Sequence, residues 1–215
     1  MGTLTKSFGA NGGYVSADKA TIQKLRATNA AMHYGESSAP PVLMQILSSL
    51  RQITSTTAGL ERLQRITFNS RYLRLGLKRL GFIVYGHDDS PVVPMMVYHP
   101  AKVAAFSREM LQRGISVVIA GYPATTILTA RVRFCVSAAH NKEDMNRVLK
   151  ACDEIGDILD LKYSTGIMGG IETLPEGMTL ADWQEDESTR RVVAPRWKLE
   201  DVLACGVQDA KLQLR

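Results

Sequence analysis

No stretch of the 215 residues is apolar for long enough to cross a bilayer. The longest apolar run, Ile115 to Leu128, is broken by Gly121, Tyr122 and Pro123, whereas a spanning helix needs about 20 apolar residues in succession. It reads as a core strand and its connection. Met1 leads into Gly2-Thr3-Leu4-Thr5-Lys6 and not into a basic and then apolar run, so no signal peptide is expected and this part is expected to be soluble. Cysteine is scarce. Cys135, Cys152 and Cys205 lack metal-ligand spacing and are odd in number, which indicates buried free thiols in a reducing compartment, two of them at apolar positions of expected elements. Internal repeats are absent, as are the aromatic interleaving and helix-turn-helix punctuation of a nucleic-acid binder.

What is present fits a soluble globular chain: 45% hydrophobic and 22% charged residues, with length for one core and pieces of a second. The net charge of +5 is concentrated on one expected helix, at Arg62, Arg65, Arg71, Arg74, Lys78 and Arg79. Such a face is expected to be solvated.

Residues 1–17 are glycine-rich. A helix is expected after Asp18 and another from Pro40-Pro41, because proline suits a first helical turn. Leu43, Ile46, Leu47, Leu50 and Ile53 form its apolar stripe. A longer helix spans about 60–80, with Leu63, Ile66, Leu73, Leu77 and Leu80 on its buried side and Gly81 as its stop. Apolar runs at Phe82–Tyr85, Val92–Tyr98, Ile115–Ile119 and Val132–Val136 read as strands. A helix over about 101–113, stopped by Gly114, lies between the second and third. Asn141, with Asp144 in the first turn, is the expected cap of an amphipathic helix. Its buried stripe is Met145, Val148, Leu149, Cys152, Ile155 and Leu159. This alternation predicts a small α/β domain over 81–163. Residues 164–215 read as an acidic, glycine-rich tail with one short helix near Leu199–Leu203. The segment before Pro40, a glycine-rich loop with one strand and one helix, cannot bury its own surface and looks like the edge of another domain; residues 1–57 are assigned to that domain, joined to the small one by a connecting helix over 58–80.

A Schiff-base lysine needs small neighbours and backbone that can approach a phosphate. Gly9, Gly12 and Gly13 allow that approach, and Thr3 and Thr5 offer hydroxyls beside Lys6. The segment Gly2-Thr3-Leu4-Thr5-Lys6-Ser7-Phe8-Gly9, continued by Gly12-Gly13-Tyr14, resembles the cofactor-lysine segment of the α-oxoamine synthases. These are fold-type I pyridoxal-phosphate enzymes that join an amino acid to an acyl-CoA. The resemblance implies that Lys6 is the catalytic lysine that binds pyridoxal 5'-phosphate and that Thr3 hydrogen-bonds the cofactor phosphate. Ser90-Pro91-Val92-Val93-Pro94 and Tyr122-Pro123-Ala124-Thr125 resemble stretches of the serine palmitoyltransferase branch. Arg131-Val132-Arg133, running on to Ser137-Ala138-Ala139-His140, resembles that branch's strand ending in S-A-x-H. Arg133 matches the arginine that grips the amino-acid carboxylate, which a planar guanidinium can bind bidentately.

The likeness covers about residues 1–163 and implies the C-terminal part of a fold-type I transferase, with 1–57 a remnant of the large cofactor-binding domain. It also implies the first step of sphingolipid synthesis, decarboxylative condensation of L-serine with palmitoyl-CoA to 3-oxosphinganine. The family works as a heterodimer with a homologous, lysine-lacking subunit on the cytosolic face of the endoplasmic reticulum. Three departures stand out. Thr126 replaces a usual proline and is expected to loosen its turn. Glu36 replaces a serine or threonine of a loop that reaches the phosphate of the neighbouring subunit. A carboxylate repels phosphate, so either Glu36 points away or that contact is lost, with Ser37 still able to donate there. The ring-stacking residue and the aspartate that pairs with the pyridine nitrogen have no counterpart in these 215 residues. The expectation is therefore an N-terminally truncated chain, with Met1 an internal methionine, inactive alone. The alternatives are a non-catalytic module that binds the partner subunit, or another α-oxoamine synthase resembling aminolevulinate synthase. No metal site is expected: His87, Asp88 and Asp89 read as a polar turn, and His140 either faces the site or is structural.

Overall fold

The computed structural model describes residues 1–164 and 197–212. It divides into two compact units, Met1–Leu63 and Gln64–Arg215. The first unit opens with a two-stranded antiparallel hairpin, β1 (Gly2–Thr3) and β2 (Gly13–Tyr14). Helices α1 (Lys19–Thr28), α2 (Ala30–Tyr34) and α3 (Pro40–Ser55) follow. Asp18 caps α1 by accepting from the Thr21 amide at 3.0 Å, and the proline pair opens α3. The apolar stripe of α3 is left uncovered, with Leu43, Leu47 and Leu50 all exposed.

Helix α4 (Thr57–Arg79) starts before the division between the units and ends after it. In the second unit, β3 (Val92–Tyr98), β4 (Val118–Ala120) and β5 (Ala130–Cys135) form an antiparallel sheet in the order β3-β5-β4. Alternation sorts their residues. Val93, Met95, Val97, Ala130, Val132 and Phe134 are buried, while Arg133 and Cys135 stand on the open face. Helix α5 (Pro100–Gln112) packs on all three strands, and α6 (Lys142–Ile158) packs on α5. Helical spacing brings Leu73, Leu77, Phe106, Met110, Leu149 and Ile155 into one core with the strands. At about 1.5–3 kcal/mol per fully buried large apolar side chain, this core holds the unit together.

The ends of the helices follow local chemistry. At α6 the capping box is complete: Asn141 Oδ1 accepts from the Asp144 amide at 2.8 Å, and Asp144 Oδ2 accepts from the Asn141 amide at 2.9 Å. Gly81 (φ 95°) and Gly114 (φ 72°) end α4 and α5 in the left-handed conformation. The next amides reach back five residues, Phe82 to Leu77 O and Ile115 to Met110 O. Asp160 (φ 49°) does the same for α6, with Leu161 donating to Gly156 O.

Several expectations are corrected. Phe82–Tyr85 forms only an isolated bridge, Val84 to Met95, because Phe82 is taken up in the end of α4. The basic face of α4 is not simply solvated: Arg74 is 1% and Arg79 8% exposed. Leu63, expected on the buried side of that helix, is exposed. Of the three thiols only Cys152 is buried, and burial raises its pKa beyond the ordinary thiol range. The short helix expected near Leu199–Leu203 is a longer one, α7 (Leu199–Leu212), with Val202 in the core and Trp197 stacked under the Arg79 guanidinium at 4.1 Å. The rest of the acidic tail, at 165–196 and 213–215, lies outside the described residues.

Candidate functional site

The hairpin that carries Lys6 is closed by backbone hydrogen bonds. Leu4 N donates to Gly12 O at 3.0 Å, Ala10 N to Leu4 O at 3.1 Å, and Gly9 N to Lys6 O at 3.0 Å. Gly9 and Gly12 have φ of 60° and 97°, conformations that suit glycine. A Cβ on Gly13 would lie 2.7 Å from Gly2 O, so the two strands approach this closely only with glycine there. The loop is fastened to α3 through Phe8 O, which accepts from Gln45 Nε2 at 3.1 Å and Ser49 Oγ at 2.9 Å. Gln45 and Ser49 were not singled out in the sequence, since nothing local marks a polar side chain that serves a distant carbonyl.

Lys6 is exposed, and no hydrogen bond or ion pair holds its ammonium among the described residues. Thr3 Oγ1 lies 2.7 Å from Thr5 Oγ1 and accepts from the Thr5 amide at 3.3 Å. Two hydroxyls that share one hydrogen bond keep one O–H proton for a further acceptor. An amine without a partner, a spare hydroxyl proton and glycine backbone together fit an aldehyde ligand that bears a phosphate. Ser37 and Glu36 lie in the exposed segment between α2 and α3, and among the described residues no hydrogen bond or ion pair joins either side chain to the lysine loop. A cleft of about 540 Å³ between the hairpin and α1 is lined by Gly2, Tyr14, Leu25 and Arg26, among others; Lys6 is not one of them.

Arg133 belongs to the second unit. It stands mid-strand on β5, in register with Pro94 of β3 and Val118 of β4. It is exposed and has no protein partner among the described residues. On the open face it is a guanidinium between two apolar neighbours, an arrangement that can bind a carboxylate without competition from a resident acid. Arg131 shares the face, with its Nε buried and without a hydrogen-bond partner. The Tyr122-Pro123 peptide is cis, and Thr125 N donates to Gly121 O at 3.0 Å. Thr126 stands in the turn where the family has proline. Its φ of −64° is a value proline would adopt, and its hydroxyl lies 2.8 Å from Thr129 Oγ1.

His140 is tied into a turn: its Nδ1 accepts from the Ser137 amide at 3.2 Å, and its carbonyl accepts from Asn69 Nδ2 at 2.8 Å. His87, Asp88 and Asp89 form a turn, with Ser90 N donating to His87 O at 3.0 Å. Among the described residues no group of acidic, histidine or cysteine side chains could hold a metal, and no helix is long and apolar enough to cross a membrane.

The family profile of aminotransferase class I and II matches residues 1–152. The chain is 55% identical over 219 residues to serine palmitoyltransferase 2 of Schizosaccharomyces pombe, an alignment that covers 99% of this chain and 35% of that protein. It is 50% identical over 167 residues to serine palmitoyltransferase 3 of Homo sapiens, covering 76% and 30%. A solved structure of SPT with a PLP internal aldimine superposes with a TM-score of 0.62 at 28% identity, covering 74% of this chain and 40% of that one. The chain therefore spans about a third of the length of the curated relatives it matches.

Proposed function

The chain belongs to the aminotransferase class I and II family, and on that premise we propose that it carries the Schiff-base lysine and the carboxylate-binding arginine of a serine palmitoyltransferase. The reaction is the decarboxylative condensation of L-serine with palmitoyl-CoA to 3-oxosphinganine, the first step of sphingolipid synthesis. The observation that carries this reading is Lys6, whose amine has no hydrogen-bond or ion-pair partner among the described residues, in a hairpin with a spare threonine hydroxyl and close-packed glycine backbone. The names of its relatives support the same reading.

Pyridoxal phosphate, when bound, supplies the electron sink that stabilises negative charge at the α-carbon of the amino acid. The chain supplies the rest. Lys6 would hold the cofactor, and its amine would take the proton from the serine α-carbon. Thr3 donates a hydroxyl proton to the phosphate, and Ser37 is the candidate donor from its own loop. Arg133 holds the serine carboxylate in a bidentate grip. In this reading residues 1–57 are part of the large cofactor-binding domain, 58–80 a connecting helix, 81–163 the small domain and 164–215 a tail. The enzyme pairs with a homologous subunit that lacks the lysine, at the cytosolic face of the endoplasmic reticulum.

The test is borohydride reduction of the cofactor-loaded enzyme, followed by peptide mapping, with Lys6→Ala alongside. The expected result is a phosphopyridoxyl group on Lys6, and neither label nor 3-oxosphinganine from the variant. A label on another lysine, or full condensation activity in Lys6→Ala, rules the assignment out.

A further inference from the structure

Few polar side chains are buried in the second unit, and three of them sit within six residues of α4. Asn69 is 2%, Ser70 0% and Arg74 1% exposed. Their hydrogen bonds end on backbone carbonyls of two separate loops. Arg74 takes the lead-in to β3: Nη1 donates to Tyr85 O at 2.6 Å and reaches Gly86 O at 3.5 Å, while Nη2 donates to Ser90 O at 3.3 Å and Val92 O at 3.1 Å. Ser70 Oγ also donates to Ser90 O. Asn69 takes the loop that leaves β5, donating to Ser137 O at 3.3 Å and His140 O at 2.8 Å. The two loops meet directly, with Val136 N donating to Pro91 O at 2.9 Å.

Burying a guanidinium this deeply is unfavourable in itself. Burial lowers the pKa of Arg74, and Asp88, whose carboxylate is 4.0 Å from Nε, only partly offsets this. Well-packed apolar residues are often at least as stabilising at such positions, and one attested use of buried polar groups is to fix register. Register is what matters on β5, because a slip of one residue turns every side chain to the opposite face. The β3–β5 ladder is regular from the clamped end, Val92 opposite Cys135, through Pro94 opposite Arg133 to Met96 opposite Arg131. It shifts only beyond Met96, at the end away from the clamp.

We propose that Asn69, Ser70 and Arg74 are positioning residues for Arg133: by holding the lead-in to β3 and the exit of β5 to one six-residue stretch of α4, they fix which face and height the carboxylate-binding arginine takes. The inference rests on the reading of Arg133 as the serine carboxylate ligand. Arg74 is the principal member, because its two guanidinium branches grip carbonyls from both ends of the Tyr85–Val92 segment. Lysine, with a single donor atom, cannot hold both.

The experiment compares L-serine with ethanolamine, which lacks the carboxylate, as ligands of the assembled, cofactor-loaded enzyme and its Arg74→Lys variant. The expected result is a Kd for L-serine raised about tenfold or more, in line with the sensitivity of oriented contacts to small displacements, with the Kd for ethanolamine and the KM for palmitoyl-CoA unchanged. Ser70→Ala, which removes one hydroxyl, shows a smaller shift in the same direction and serves if Arg74→Lys does not fold. Equal weakening of both ligands, or no change in either, makes the clamp merely structural and overturns the proposal. A wild-type enzyme with no preference for serine over ethanolamine overturns the reading of Arg133, and the proposal with it. That failure is seen without any variant.

Discussion

Gly156 sits on α6 where helix propensity and packing pull in opposite directions. Gly156 lies in the last turn of α6, where replacing glycine by alanine stabilises by at most the about 0.8–1 kcal/mol of a helix interior. Here a Cβ would lie 2.6 Å from Phe82 Cζ and 3.1 Å from both Phe82 Cε1 and Lys162 Cε. Neither neighbour yields freely. Phe82 is 1% exposed within the core, and the Lys162 ammonium is held by Asp153 at 2.7 Å and Asp157 at 2.6 Å. Forcing a methyl group into such a space costs about 1–3 kcal/mol. The clash therefore wins, and Gly156→Ala is expected to lose about 1 kcal/mol net, equivalent to a Tm lower by roughly 2–4 °C for a chain of this size. Urea unfolding followed by circular dichroism measures this. Phe82→Leu in the same background should recover part of the loss, as a non-additive coupling of about 0.5–3 kcal/mol between touching residues. A Gly156→Ala protein that unfolds at higher urea, or strictly additive single and double variants, would refute the packing argument.

Asn141→Ala removes the α6 cap and should cost about 1 kcal/mol, whereas Asn141→Ser retains most of it, read from the same urea midpoints. In the native protein an alkylating reagent should modify Cys135 and Cys205 and spare Cys152, which is buried and whose thiol is pushed toward the protonated form. Peptide mapping that finds Cys152 modified before unfolding would contradict its placement in the core.

Much of the second unit could be read from the sequence because its signals are local. Asn141 with Asp144 opened α6, and Gly81 and Gly114 closed their helices where expected; in the first unit the proline pair opened α3. The apolar run Val92–Tyr98 located β3. What could not be read depends on distant partners. Arg74 looked like the other cations of α4, and only the arrival of four carbonyls from the Tyr85–Val92 segment makes it a buried residue. Phe82–Tyr85 has strand composition, but the helix end takes its first residue and Arg74 takes the carbonyl of its last. The end of α6 at Asp160 carried no glycine to announce it. For the candidate site, the lysine loop was legible because its glycines and threonines are contiguous. Its fastening through Gln45 and Ser49 was not, because those residues lie 37 and 41 positions from Phe8.

The polar clamp on α4 also imposes an order of assembly. Arg74 reaches carbonyls only 11–18 residues away, whereas Asn69 waits for partners 68 and 71 residues away. Loop-closure entropy grows by about 0.6 kcal/mol for each doubling of length, so the shorter closure is favoured by roughly 1 kcal/mol. Once α4 has formed, the segment up to Val92 can be drawn onto it before β5 has joined the sheet. Strand β5 then docks against an edge whose register is already set, which makes the strand bearing Arg133 among the last of the sheet to be placed and the least free to be placed wrongly.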